Sequence, residues 1–116
     1  MITKYQVIQP DGTTTEHEVD LPADPSLREM NTICVPHIGP GEPLERVKVF
    51  WDGFYRSMFV SEMGHRALTT RGPLPINPKA TEIYHNNIKV HAPAEHDPDG
   101  PTIAGVAVLF DRRIWF

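Results

Sequence analysis

Hydrophobic and polar positions alternate at the beginning of the chain. The stretches Thr3 to Gln9 and Thr13 to Leu21 both show the period of two that is typical of β-strands, and Thr3, Tyr5 and Val7 share one side. Pro10-Asp11-Gly12 separates the two stretches, and Asp-Gly favours a type I′ turn. We therefore predict an opening β-hairpin, whose return strand places three acidic residues on one face: Glu16, Glu18 and Asp20.

A second hairpin is predicted in the middle of the chain. Arg46 to Trp51 alternates, Asp52-Gly53 is again a turn signal, and Phe54 to Ser61 is the return strand. Because the aromatic residues of Phe54 to Ser61 fall on both faces, we expect this strand to be covered on both sides.

Two short helices are predicted from their start signals. Ser26 and Glu29 have the spacing of a capping box next to Pro25, and Pro36 with the Gly39-Pro40-Gly41 run is expected to end this first helix. Asn77 followed by Pro78 is a favourable start for the second helix. Its apolar residues recur at helical spacing: Ala80, Ile83, Tyr84 and Ile88.

Thr102 to Phe110 is apolar on both faces, which predicts a central strand, and Gly105 within it indicates a close backbone approach. The predicted fold is therefore α+β: about five strands in a small mixed or antiparallel sheet, built from two hairpins and a C-terminal central strand, with two short helices. A length of 116 residues suits a single domain over residues 1–116.

The composition of the chain restricts its cellular setting and its class of partner more than it restricts its chemical activity. The net charge of −4 argues against a nucleic-acid binder driven by phosphate contacts. The single cysteine excludes an internal disulfide, which suits a cytoplasmic protein. The N-terminal residues lack a signal-peptide pattern, and no stretch is apolar over the length of a membrane span. No cofactor is expected.

The loop after the second helix concentrates possible metal ligands. Imidazole and carboxylate groups bind zinc and harder divalent ions, which would suit a metal-dependent hydrolase. The alternative is a solvated loop with turns at Asp-Pro and Asp-Gly, since the spacing matches no known ligand motif. The residues concerned are His91, His96, Asp97 and Asp99.

Cysteine and histidine are two further residue types that can act as catalytic groups. Cys34 with His37 has the composition of a nucleophilic pair, but Cys34 continues an apolar helical face, which favours a buried thiol. His17 lies on the apolar face of its strand and is interpreted as a core or edge histidine rather than a catalytic one.

An arginine cluster is the predicted site for a small ligand or nucleotide. Arginines that converge on a helix N-terminus hold a phosphate or a carboxylate, whereas the alternative is a solvated charged rim. The predicted members are Arg66, Arg71, Arg112 and Arg113 around Asn77.

Aromatic residues are numerous for one small domain, and aromatic residues are enriched in the cores of interfaces. Burial in the protein's own core is the alternative. The predicted interface residues are Trp51, Phe54, Tyr55, Trp115 and Phe116.

Several short motifs resemble the family catalogued as domain of unknown function 3846. They are "YQVIQPDG" at the start, Val60-Ser61-Glu62-Met63-Gly64, the helix start "PLPINPKAT", and a final strand with Ile103-Ala104-Gly105. The resemblance covers most of the chain in order, but Met30 to Gly41 departs from the glycine-rich segment such proteins often carry. It implies an accessory protein of a phage or plasmid.

The leading prediction is a non-enzymatic module that binds another protein, a host or defence component, or that forms a homodimer. A small-ligand, nucleotide or anion-binding domain is the first alternative, and a metal-dependent hydrolase is the second.

Overall fold

One antiparallel sheet forms the centre of the protein. The computed structural model describes residues 1–40, 43–62 and 74–115, and within them the sheet has five strands in the order β2-β1-β5-β4-β3. The strands are β1 (Ile2–Ile8), β2 (Thr14–Asp20), β3 (Leu44–Trp51), β4 (Phe54–Ser61) and β5 (Ala107–Phe110). Two helices in this part of the chain, α1 (Leu27–Ile38) and α2 (Pro78–His91), complete the predicted α+β class.

The two hairpins use different turns. Asp52 and Gly53 both have positive φ, 54° and 88°, so the second hairpin has the predicted type I′ turn. In the first hairpin only Gly12 has positive φ, at 92°. Pro10 holds φ near −65°, which suits a type I turn followed by a glycine bulge. The type I′ prediction was therefore wrong for Asp11-Gly12, because the proline before it selects another turn.

Strand β5 inserts between the hairpins and pairs antiparallel with β1 and β4. It is central, as predicted, but shorter than the predicted Thr102 to Phe110. Gly105 has φ of 79°, and a Cβ there would lie 2.8 Å from the Leu74 side chain. The close approach predicted at Gly105 is thus confirmed, and this kink is why regular pairing begins only at Ala107.

Helix α1 begins as predicted but ends later. Ser26 and Glu29 form a reciprocal capping box, while Pro36 lies inside the helix and Gly39 is the C-cap. Proline removes one backbone hydrogen bond, and in the last turn of a helix the remaining bonds tolerate that loss. The prediction was therefore wrong for Pro36 and right for the start of the glycine run, since the helix ends at Ile38 with Gly39 as its C-cap.

Each helix packs on its own face of the sheet, so there are two hydrophobic cores. The core under α1 includes Met30, Cys34, Phe59, Phe110 and Ile114. The core under α2 is formed by a second set of buried residues: Ile8, Val47, Val49, Met58, Val60, Ala80, Ile83, Ile103, Ala107 and Leu109.

Asn77 connects the start of α2 to the sheet. Its side chain is fully buried; the Nδ2 group donates to the carbonyls of Ile8 and Gly105 at 3.0 and 2.9 Å, and Oδ1 accepts from Ala80 N–H at 3.0 Å. One side chain therefore caps the helix and satisfies a carbonyl from β1 and a carbonyl from the segment before β5.

We expect Asn77→Ala to lower the free energy of unfolding by about 2–4 kcal/mol, because it removes the cap and leaves buried carbonyls without donors. Asn77→Asp keeps the cap acceptor but has no donor, so it should remain strongly destabilised. Asn87→Ala, which removes one half-buried contact with Tyr55, is the control and should have a smaller effect. Urea denaturation measures all three. If Asn77→Asp were as stable as the wild type, the helix cap alone, and not the two hydrogen bonds donated by Nδ2, would account for the stabilisation by Asn77.

Candidate functional site

Among the described residues, no helix lies over part of the sheet face on the α2 side. Helix α2 lies along β3, and Asn86 donates to the Phe50 carbonyl at 2.7 Å. On the other half of the same face, β1, β2, β5 and the start of β4 line an open groove of about 490 Å³. Gln6 and Leu109 are directly opposite each other in the β1–β5 pairing and form its floor.

Charged side chains surround this floor. Glu16 and Glu18 on β2 are exposed and stand opposite Gln6 and Lys4 of β1. Lys4, Asp111 and Arg56 complete the charged lining. We name this surface, defined by Lys4, Gln6, Glu16, Glu18, Arg56, Leu109 and Asp111, the β-face groove. Its carboxylates lie mainly on β2, and its buried cation lies on β4.

Arg56 is the unusual residue of the β-face groove. It is only 8% exposed, near the start of an otherwise uncharged strand, and its guanidinium carbon lies 4.3 Å from the centre of the Phe54 ring. Its Nη2 approaches an Asp52 carboxylate oxygen at 3.7 Å, which is longer than a hydrogen bond. Its Nε is buried with no hydrogen-bond partner among the described residues.

This environment makes Arg56 a candidate anion-binding group. Burial lowers the pKa of the Arg56 guanidinium, while Asp52 and Asp111 oppose that shift, and an arginine remains protonated at neutral pH. A buried donor without a partner destabilises the folded protein unless a ligand or water satisfies it. A carboxylate that entered the groove would supply acceptors to this guanidinium, whose Nε has no hydrogen-bond partner among the described residues.

Sequence reasoning missed Arg56, although one signal was present. Within Phe54 to Ser61 an arginine interrupts a strand that is buried at most positions. A charged residue at a covered position of a strand is uncommon without a partner. The acidic face of β2, in contrast, was predicted from alternation alone.

We expect Arg56→Met to change the free energy of unfolding by less than about 2 kcal/mol, because the cost of burying the unpartnered Nε is removed while only the long contact with the exposed Asp52 carboxylate is lost. A methionine keeps the apolar volume and removes the unsatisfied Nε. Arg28→Met, on the exposed surface of α1, is the control for loss of one positive charge. Chemical denaturation at several salt concentrations compares the two variants. A loss of more than about 2 kcal/mol in Arg56→Met would show that Arg56 holds the fold together.

The predicted arginine cluster is not assembled by the described residues. Asn77 uses its side chain inside the fold near Ile8, whereas Arg112 donates to Thr3 Oγ1 and to the carbonyls of Pro22 and Ala23. Ile8 and Thr3 lie at opposite ends of β1, so these two residues do not share a site. Arg113 is exposed, and Arg66 and Arg71 lie outside the described residues.

The predicted aromatic interface is divided between different surroundings. Trp51 is half-buried against the core under α2, with the Lys79 ammonium 4.8 Å from its ring. Phe54 is 41% exposed beside Arg56, and the Tyr55 hydroxyl donates to Asn87 at 3.2 Å. Phe54 thus lies next to the β-face groove.

Trp115 docks on its own chain. Its indole N–H donates to the Pro25 carbonyl at 2.6 Å, and its ring meets Phe59 edge-on at 5.6 Å between centres. Phe116 lies outside the described residues. Trp115 is therefore held on the α1 side of the protein, away from Phe54.

The predicted metal ligands interact with different groups of the protein. Asp97 accepts from the Asp99 backbone N–H at 2.9 Å, which is the predicted Asx turn. His96 faces His85 at 3.3 Å, while His91 packs against the ring of Phe50. No group of three or more potential ligands with metal-binding geometry occurs in residues 1–40, 43–62 and 74–115.

Cys34 and the nearby histidines belong to the packing under α1. Burial raises the pKa of the Cys34 thiol to about 12, so the thiol is neutral and a poor nucleophile at physiological pH. His17 stacks on Tyr5 with ring centres 5.0 Å apart, and the ring of His37 is 5.3 Å from that of His17. Burial, and secondarily His17, lower the pKa of His37.

This arrangement predicts a pH-dependent stability. His37 binds a proton less readily in the folded chain than in the unfolded chain, so the unfolded state takes up more protons as the pH falls through the ordinary value near 6.5. The free energy of unfolding should therefore decrease between about pH 7.5 and pH 5.5. His37→Gln should reduce this decrease, and His96→Gln should not. An unchanged slope in His37→Gln, measured by denaturation at each pH, would contradict the assignment.

Comparison with protein-family models, with curated proteins and with solved structures finds no match for this chain. The resemblance to family 3846 therefore stays a prediction. No helix in the described part of the chain has the length and apolar character needed to cross a membrane.

Proposed function

We propose that this protein is a binding module that holds an extended segment of a partner protein in the β-face groove. The observation that carries the proposal is the buried Arg56, whose Nε has no hydrogen-bond partner among the described residues, at one side of an open and mostly charged groove. A buried donor without an acceptor does not stabilise the fold. In a binding site the same donor is useful, because a partner that supplies the acceptor gains binding energy.

The shape of the groove favours a chain segment over a small molecule. Sites for small molecules are concave, mostly apolar and enclose most of the ligand. The charged groups of the β-face groove are instead spread from β2 to β4, across about 14 Å of sheet at 4.8 Å per strand. Lys4, Glu16 and Glu18 are exposed along it, so a ligand would remain open to solvent on one side. The carboxylates also repel nucleic acid.

Charge favours a different protein over a second copy at the neighbouring sheet edge. β2 is the outer strand, and antiparallel pairing of two β2 strands would bring their acidic side chains together: Glu16, Glu18 and Asp20. Like charges opposite each other destabilise strand pairing, and charged edges are a common protection against self-association.

The resemblance to family 3846 adds a setting to this proposal. An accessory protein of a phage or plasmid that captures a host or defence component would need such a surface. This part of the proposal rests on the quoted sequence motifs alone.

The test is a selection of random dodecapeptides on the full chain, followed by NMR mapping of the peptides that are enriched. We expect amide shifts along β1, β5 and the start of β4. Gln6→Trp should abolish binding, because a large side chain on the groove floor fills the groove without changing a charge. Thr32→Trp, exposed on α1 on the opposite side of the sheet, is the matched control and should bind normally.

Two results would overturn the proposal. One is the absence of any enriched peptide whose shifts map to the β-face groove. The other is a dimer in native mass measurements that Gln6→Trp converts to monomer, since a second copy would then occupy the groove. Wild-type NMR mapping decides the question even if Gln6→Trp does not fold.

A further inference from the structure

We infer that the partner segment carries a carboxylate that binds Arg56 and, four residues away, a basic side chain that binds between Glu16 and Glu18. This inference rests on the proposed function and specifies the chemistry of its partner. It follows from the placement of Arg56 on β4 and of Glu16 and Glu18 on β2, at the two sides of one groove.

The carboxylate end is defined by Arg56. The guanidinium is restrained on one side by the Phe54 ring and lies near Asp52, but its Nε has no acceptor among the described residues. A carboxylate has two oxygens in the geometry that a guanidinium fork recognises. Lys4 is a second cation on the same face, and with Arg56 it balances the two carboxylates nearest to this end, Asp52 and Asp111.

The cationic end is defined by β2. Glu16 and Glu18 point to the same face as Gln6 and Lys4, their partners on β1, and both are exposed. A lysine or arginine that reaches them makes ion pairs at the rim of the groove. Such exposed pairs contribute less than the buried Arg56 contact and act mainly on orientation.

The spacing follows from the sheet. β2 and β4 are three strand intervals apart, about 14 Å. An extended segment rises roughly 3.3 Å per residue, so residues i and i+4 are about 13 Å apart and point to the same side. A segment that crosses the strands on the face of the sheet therefore spans both ends with three residues between its charges.

The carboxylates near Arg56 disfavour binding of a phosphate at this end of the groove. Asp52 and Asp111 lie close enough to Arg56 to oppose the fall in its pKa, so a dianion at Arg56 would meet two carboxylates. A singly charged carboxylate attached to a cation meets less repulsion and gains the contact with β2. The partner chemistry is thus a protein segment of mixed charge rather than a phosphorylated one.

The test uses three synthetic peptides as probes: acetyl-ETVTK-amide, the same peptide with Gln in place of Glu, and the same peptide with Gln in place of Lys. Their dissociation constants are measured by NMR on wild type, on Arg56→Met and on the double variant Glu16→Gln, Glu18→Gln. Inorganic phosphate is titrated as a fourth probe. Arg28→Met is the matched control for charge.

On wild type we expect the Glu-to-Gln peptide to bind at least about tenfold more weakly than the parent, and the Lys-to-Gln peptide about threefold more weakly. On Arg56→Met the Glu-to-Gln change should have less than about a twofold effect, and on the β2 double variant the Lys-to-Gln change should likewise lose its effect, as expected for coupled partners. Phosphate should bind more weakly than the parent peptide, and Arg28→Met should behave as wild type.

Three results would overturn the inference. They are equal binding of all three peptides, no binding of the parent peptide to wild type, or tighter binding of phosphate than of the parent peptide. The proposed function fails separately: selected dodecapeptides that map to the groove without this charge pattern would leave the function standing and reject only the inference.

Discussion

The sheet is wider than the helix that packs on each of its faces, and this difference determines which strands are left uncovered. Five strands at about 4.8 Å make a sheet roughly 24 Å wide, while a helix with its side chains is about 10–12 Å across. One helix per face therefore covers about half of that face. On the α1 side the remainder is covered by Tyr5, His17 and the C-terminal Trp115; on the α2 side, in the described residues, it is the β-face groove. The groove is a consequence of this mismatch, and its polar residues are of the kind that favours contact with solvent.

Two buried polar residues on the α2 side show how structural and functional demands differ. Asn77 donates twice and accepts once with its side chain, and its own backbone N–H and carbonyl are also bonded, to Ile103 and Thr81. Arg56 is also buried, at 8% exposure against 0% for Asn77, and lacks a partner at Nε within the described chain. Satisfied buried polar groups specify one packing arrangement, whereas unsatisfied ones mark places where stability has been exchanged for another property.

The fold was largely predictable because its signals are local. Alternation, two Asp-Gly turns, the Ser26 to Glu29 box and the Asn77-Pro78 start specify the elements, and the apolar character of β5 specifies its central position. The errors were also local, since Pro10 selects the first turn and Gly105 delays β5. The site was not predictable in the same way. Arg112 was predicted to bind an anion, but its guanidinium donates to Thr3 and to the loop before α1. Arg56, Gln6 and Glu16 come onto one face only through the order of the strands in the sheet.

In the proposed binding module, a buried guanidinium and an exposed acidic strand would have complementary roles. Rim carboxylates such as Glu16 and Glu18 act at long range, so they attract basic segments and repel nucleic acid before contact. Arg56 acts only after a carboxylate has entered and water has left, where a charge-assisted hydrogen bond is strong. Attraction of a basic segment would therefore depend on the carboxylates of β2, and selection of a carboxylate would depend on Arg56 at the other side of the groove. Because they lie on different strands, β2 and β4, the pairing of both strands through β1 and β5 fixes the distance that a partner must match.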